Sequence, residues 1–252
     1  MDRLAQAGRP DGRPAGFQRW RTLLFLHWEV PAEALAALLP PGLTVDTFEG
    51  RAYLGLVPFL MRDVSPWWSP SVPGVSTFPE LNLRTYVHSQ GRGPGVWFFS
   101  LDAAKLLVVL AARTRWRLPY SWAAMSLDVR PDRVRYRSRR RCPSSPSSPS
   151  SPSSLSANFE ASYRIGDALG TARPGSFEHF LTERYLLYTT RGDGGLVRGQ
   201  VHHRPYPLHR AELLELHETV VDAAGLPTTT DPPHVLFSPG VDVDIYPLRP
   251  TE

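Results

Sequence analysis

The sequence predicts an α+β protein built on a large, mainly antiparallel β-barrel with a few helices, and three observations carry that prediction. Roughly a dozen short stretches alternate apolar and polar side chains with period 2, bounded by turn-forming residues. Only about four stretches have helical patterning, and they are short and scattered among the strands. The chain has 252 residues and is 42% hydrophobic, which is enough for one large core. Many strands with few helices fit a barrel, whose closure removes open edges.

In chain order, residues 1–16 are polar and rich in Gly and Pro and predict a disordered leader. Residues 17–250 are expected to form a single domain. Residues 21–30 predict a strand in which Leu24, Leu26 and Trp28 alternate with Phe25, His27 and Glu29. His27 in so apolar a strand is expected to be a hydrogen-bonded structural histidine. Residues 31–39 begin with Pro31 and predict a short helix ended by Pro40-Pro41-Gly42. Residues 44–48 and 52–61 predict a hairpin turning at Glu49-Gly50. The loop 65–77 carries Trp67, Trp68 and three prolines. It is too aromatic for a spacer, and capping a pocket or covering a barrel end would each account for it.

The most informative stretch is 78–120. On the strand 78–87, Leu81, Leu83, Thr85 and Val87 share one face, while Glu80, Asn82, Arg84 and Tyr86 share the other. Same-face neighbours lie roughly 6.5–7 Å apart. Glu80 and Arg84 are therefore too distant for a direct ion pair, yet both reach a group bound over Asn82. A strand with one wet face accounts for this row, and so does a lined cavity. The neighbouring strand Val96-Trp97-Phe98-Phe99 is apolar on both faces, which favours the cavity. Asp102 is positioned to cap a helix from 103 to about 115, apolar on all sides and hence buried. Pro119 stops it.

Residues 121–129 and 132–140 predict two further strands. The second places Arg133, Arg135, Arg137 and Arg139 on one face, and residues 130–141 hold seven arginines. Only Tyr136 interleaves them, so a solvated hairpin arm explains the run better than nucleic-acid binding does. The Ser/Pro repeat at 143–154 has nothing to bury and is expected to be a low-complexity insertion at the tip of a hairpin pairing 134–139 with 158–164. Ser176 caps a helix to about 184, and 185–190 with 196–202 form a hairpin over Gly192-Asp193-Gly194-Gly195. Residues 209–218 predict a helix. Residues 235–238 and 241–246 close the chain as strands, with Asp242 and Asp244 toward solvent.

Composition narrows the function classes. Net charge is +4, a weak attraction for polyanions. Cys142 is the only cysteine, which excludes an intrachain disulfide and points to a reducing compartment. The apolar run 106–112 is far short of a membrane span, and the leader lacks the apolar core of a signal peptide, so a cytoplasmic protein is expected. There is no Gly-rich phosphate loop, Cys pair, His-Glu-x-x-His helix or Gly-x-Ser-x-Gly elbow. His202 and His203, adjacent on a strand, point to opposite faces, so no metal site is expected. No cofactor is implied. Glu183 and Arg184 suggest a local ion-pair network. Unpaired strand edges make a homodimer a reasonable expectation.

The stretches Phe78-Pro79-Glu80-Leu81-Asn82-Leu83-Arg84-Thr85-Tyr86-Val87 and Gly95-Val96-Trp97-Phe98-Phe99-Ser100-Leu101-Asp102-Ala103 resemble the signature of the YqjF-like uncharacterised proteins, a domain-of-unknown-function family. Further matches are Leu181-Thr182-Glu183-Arg184-Tyr185, Val201-His202-His203-Arg204-Pro205 and Phe237-Ser238-Pro239-Gly240-Val241-Asp242-Val243. The resemblance implies a fold similar to acetoacetate decarboxylase and carries no established activity. Acetoacetate decarboxylases use a lysine nucleophile in a Gly-Arg-Glu, six-residue, Pro-Lys pattern. By that resemblance Arg113 stands at the arginine, Thr114 at the glutamate, Tyr120 at the nucleophile, and Glu80 at the acidic residue. The pocket thus resembles that family's, while the nucleophile is missing.

Three functions compete. One is a non-Schiff-base enzyme acting on a small carboxylate or carbonyl compound, with Glu80 and Tyr120 as catalytic groups and Asn82, Arg84 and Arg113 binding substrate. Another is a non-catalytic binding protein using the same cavity. The least favoured is contact of the 130–141 strand with nucleic acid or an acidic protein.

Overall fold

The computed structural model describes residues 1–141, 157–227 and 231–251. The expected insertion at 143–154 and Cys142 lie outside the described residues. The first half contains β1 (Gly16–Val30), α1 (Ala32–Ala36), β2 (Thr44–Val45), β3 (Ala52–Pro66), β4 (Phe78–Ser89), β5 (Arg92–Ala103) and α2 (Leu106–Arg115). Next come β6 (Tyr120–Val129), β7 (Val134–Arg140), β8 (Asn158–Gly170), α3 (Phe177–Thr182) and β9 (Leu186–Thr190). The chain closes with β10 (Leu196–His203), β11 (Leu208–Glu218), α4 (Val220–Ala223), β12 (His234–Ile245) and β13 (Arg249–Pro250).

These strands form one sheet that closes on itself twice. A larger ring runs β5-β6-β7-β8-β11-β12-β1-β3-β4 and returns to β5; a smaller one runs β10-β9-β5-β4-β3-β1-β12 and returns to β10. The β5–β6 and β5–β9 pairs are parallel, and the other pairs are antiparallel. The two rings share the wall β5-β4-β3-β1-β12, so both faces of that wall are buried. Its strands are accordingly apolar in both parities. Leu24, Leu26, Leu54, Leu56, Leu81 and Leu83 fill the larger ring. Leu23, Phe25, Val57, Phe59, Leu101 and Val243 belong to the core of the smaller.

A paired bulge sets which residues face which ring. Leu236 and Val241 share the core of the smaller ring although the step from one to the other is odd. Trp20 and Leu23 do the same across β1. An odd step on one face needs an extra residue in the strand. Thr22 supplies it with φ 54°, next to Arg21, which pairs with Gly240, itself at φ 130°. A Cβ at Gly240 would lie 2.0 Å from the Trp20 carbonyl oxygen, so only glycine fits there.

Several elements depart from the sequence reading. Residues 208–218 form a strand, not a helix: β11 pairs with β8 and β12. The spacing of Leu213, Leu214 and Leu216 imitates a helical stripe. A register shift between Leu213 and Glu215 instead lets Leu213 and Leu216 pack on the same core. The 44–48/52–61 hairpin reduces to a single bridge between Phe48 and Arg51, because β2 pairs with β4 and β3 is held by β1 and β4. Asp102 does not cap α2. It remains in β5, which continues through Ala103 between β4 and β6, and it binds Arg140 at 2.8 Å. Nor is α2 buried all round, since Leu106, Leu107 and Leu110 are exposed and Val109 is buried.

The leader, expected to be free, is laid against the domain. Arg3 pairs with Asp46 at 2.7 Å and Arg9 with Asp244 at 2.7 Å, while Gln200 donates to the Gln6 carbonyl. The expected hairpins hold: Val134 to Arg139 pair with Tyr163 to Asn158, and β9 pairs with β10. Ser176 caps α3 by accepting from the His179 N–H. No described helix is long and apolar enough to cross a membrane.

Candidate functional site

Leu81 and Leu83 turn into the larger ring, so Glu80, Asn82 and Arg84 turn into the smaller one. Because β4 lies in the shared wall, this polar row is buried: Glu80 is 2%, Asn82 8% and Arg84 9% exposed. The three side chains line a cavity of about 100 Å³ together with Tyr120, Arg184 and Tyr206. Phe59, Leu23, Leu101 and Val201 supply apolar wall. Gly55 opposes this row. A Cβ there would press on the His27 ring at 3.1 Å and on Arg84 Cγ at 3.4 Å.

Glu80 is the most perturbed carboxyl of the cavity. Burial pushes its pKa up to about 8, and the nearby Asp102 charge adds to the rise. Hydrogen bonding from Tyr120 and Asn82 opposes it. At neutral pH, therefore, Glu80 is largely a neutral acid within a buried wall. The Tyr120 hydroxyl donates to Glu80 Oε2 at 3.1 Å. Burial and the adjacent Glu80 raise the Tyr120 pKa well above its usual range, so Tyr120 stays a protonated donor.

Two guanidiniums complete the polar set. Arg84 donates from Nη2 to the Leu181 carbonyl at 3.1 Å, and its buried Nε has no partner. Among the described residues no carboxylate lies within ion-pair distance of Arg84. Glu80 and Arg84 do not pair, in keeping with their spacing on the strand. Arg184 is bound instead to Asp46 at 2.9 Å. Burial lowers its pKa to about 10 against the opposing pull of Asp46. Its Nε donates to the Phe180 carbonyl, and its Nη2 is buried without a partner.

Of the residues singled out by sequence, Glu80, Asn82, Arg84 and Tyr120 converge. Arg113 does not join them. Its Nε donates to the Tyr120 backbone carbonyl at 2.6 Å, so it holds the strand that carries Tyr120 rather than the cavity. Lys105 precedes α2 and is absent from the cavity wall.

Sequence reasoning missed Arg184, Asp46 and Tyr206. Arg184 had been assigned to a local pair with Glu183. Glu183 in fact accepts from the Tyr185 hydroxyl at 2.6 Å and from the Tyr206 N–H at 2.9 Å. The only available signal was the Leu181-Thr182-Glu183-Arg184-Tyr185 motif itself.

Outward, the cavity shares Gln18, Trp116, Leu118, Leu187, Val201 and Ile245 with a groove of about 1240 Å³. Trp67 and Trp68 form part of its rim. Of the two roles open to the 65–77 loop, it therefore borders the approach to the pocket.

Other candidates resolve into packing. His27 Nε2 lies 2.6 Å from the Tyr86 hydroxyl. That hydroxyl donates to the Leu181 carbonyl, so His27 is the donor to Tyr86. His203 is buried between Tyr185 and Tyr206, whose rings are each 4.7 Å away, while His202 faces Asp244. Among the described residues no three potential metal ligands gather. Arg135 and Arg137 both bind Glu160, and Arg140 binds Asp102. Asp242 is solvent-facing beside Arg21, and Asp244 is mostly covered beneath Arg9.

Comparison with known proteins agrees with this architecture. The profile of the DUF2071 family, described as an uncharacterized conserved protein, matches residues 17–242. Uncharacterized protein YqjF of Bacillus subtilis (strain 168) is 39% identical over 240 residues, spanning 95% of this chain and 94% of its own. Acetoacetate decarboxylase from Legionella pneumophila superposes with a TM-score of 0.61 at 14% identity, over 98% of this chain and 94% of that one. The enduracididine biosynthesis enzyme MppR, solved with pyruvate, gives 0.60 at 14% identity, over 95% and 91%. These likenesses establish the acetoacetate decarboxylase-like fold.

Proposed function

The chain belongs to the DUF2071 family of uncharacterized conserved proteins, and on that premise we propose that its buried cavity binds a small carbonyl-bearing carboxylate and exchanges a proton with it. The observation that carries this reading is Arg84, a buried guanidinium with an unpartnered Nε and no carboxylate in reach. A buried cation without a counter-charge is costly. A ligand carboxylate would remove that cost and form a charge-assisted hydrogen bond.

Glu80, held neutral, supplies the acid. A carbonyl oxygen placed beside it receives its proton while Tyr120 donates a second hydrogen bond to the same region, and the Glu80 carboxylate so formed takes a proton from the carbon next to the carbonyl, leaving the enol and a reprotonated Glu80. No lysine lies in the cavity, so the chemistry runs without an imine. That MppR was solved with pyruvate supports the choice of a 2-oxo acid. The engagement of Arg135 and Arg137 by Glu160 and of Arg140 by Asp102 favours this reading over nucleic-acid contact.

The test is twofold. Pyruvate and acetoacetate should raise the melting temperature of the wild type, and Arg84→Met should weaken binding about 100-fold. Methyl protons of bound pyruvate should exchange in deuterated water, and Glu80→Gln should stop the exchange. Arg84-dependent binding without exchange would make the protein a non-catalytic binder, the alternative use of the same cavity. Binding indifferent to Arg84 would overturn the proposal.

A further inference from the structure

The cavity and the groove outside it differ sharply in size and chemistry. The cavity, at about 100 Å³, is walled by Glu80, Arg84, Tyr120 and apolar side chains and takes the head of the ligand. The adjoining groove is about 1240 Å³ and shares walls with the cavity, so a molecule seated at Arg84 and longer than its head must enter it.

The groove is built for an uncharged, flat occupant. Trp68 is 71%, Trp67 50% and Phe17 42% exposed, and all three line it. Large apolar side chains gathered and left in water mark a binding surface. Arg13 is the single charged residue of the lining, and its guanidinium already lies over the Trp67 ring at 4.3 Å. That contact engages the charge and steadies the ring. Trp116 stands where the cavity and the groove meet.

We infer that the ligand is an aryl-bearing 2-oxo acid, its carboxylate and carbonyl in the cavity and its aromatic tail in the Trp67–Trp68 groove. This rests on the cavity reading above for the head and on the groove alone for the tail. Aromatic rings stack offset or edge-on with a tryptophan. Covering a ring from water strengthens binding by about tenfold or more.

Pyruvate and phenylpyruvate share the head and differ in the tail, so calorimetric titration of both into wild type, Trp68→Ala and Arg84→Met separates the two halves. Trp68 is exposed, which leaves its alanine variant folded, and Trp67→Ala serves as a second removal of the groove wall. Phenylpyruvate should bind wild type about tenfold or more tighter than pyruvate. Either tryptophan variant should lose most of that preference while pyruvate affinity stays within about twofold. Arg84→Met should weaken both acids.

Equal affinities on wild type, or a preference that survives both tryptophan variants, overturns the tail inference. Arg84-dependent binding of both acids would leave the cavity reading standing in that case. Phenylpyruvate binding that ignores Arg84 overturns the inference from the other side, and failure of both acids to bind overturns the two readings together.

Discussion

Replacing Glu80 with glutamine should remove a specific pH dependence from the stability of the protein. In the folded chain the carboxyl titrates at about 8, against an ordinary value of 4.5. Between those values the unfolded chain releases a proton that the folded chain keeps, so rising pH favours unfolding. The contribution is fully present below pH 4.5 and is lost as pH rises through about 8. The gap, at about 1.36 kcal/mol per pH unit, sets an upper bound of about 5 kcal/mol. Relaxation and water entry reduce this to about 2–3 kcal/mol. Urea denaturation from pH 5 to pH 9 should show wild type losing about that much more than Glu80→Gln. Glu183, also raised by burial, titrates alike in both proteins and cancels in the difference. Parallel curves for the two proteins would refute the buried, acid-holding cavity.

Three further outcomes are expected. Arg84→Met should leave the unliganded protein as stable as wild type or more so, measured by thermal melting, because it removes an unpaired buried charge; the Leu181 carbonyl still accepts from Tyr86. Gly240→Ala should cost about 3 kcal/mol or more by denaturant titration, since its Cβ would meet the Trp20 carbonyl at 2.0 Å in a positive-φ bulge. Borohydride reduction in the presence of acetoacetate should leave no side-chain adduct by mass spectrometry, because Lys105 is the only lysine and lies outside the cavity wall.

The sequence by itself determined the strands whose alternation is strict and local. On 78–87 the period of 2 separated Leu81 and Leu83 from Glu80, Asn82 and Arg84, and the two-sided apolarity of 96–99 indicated that the polar row was enclosed. That inference needs only the pleat of one strand and the burial of its neighbour. The β9–β10 hairpin over Gly192-Asp193-Gly194-Gly195 was legible for the same reason, as was Ser176, whose cap acts three residues away.

Tertiary structure decided whatever depended on partners distant in the chain. The helical look of 208–218 yielded to pairing with β8 and β12, because a core between sheets outweighs a few tenths of a kcal/mol of helix propensity per residue. Arg184 found Asp46, 138 positions away in the chain, rather than its neighbour Glu183. Asp102 found Arg140 instead of the start of α2, and Arg113 found the Tyr120 carbonyl instead of the cavity. Above all, the sharing of one wall by two rings is a property of closure. Without it Glu80 would face water with an ordinary pKa; with it, the same alternating strand places a neutral acid and an unpaired guanidinium in one buried cavity.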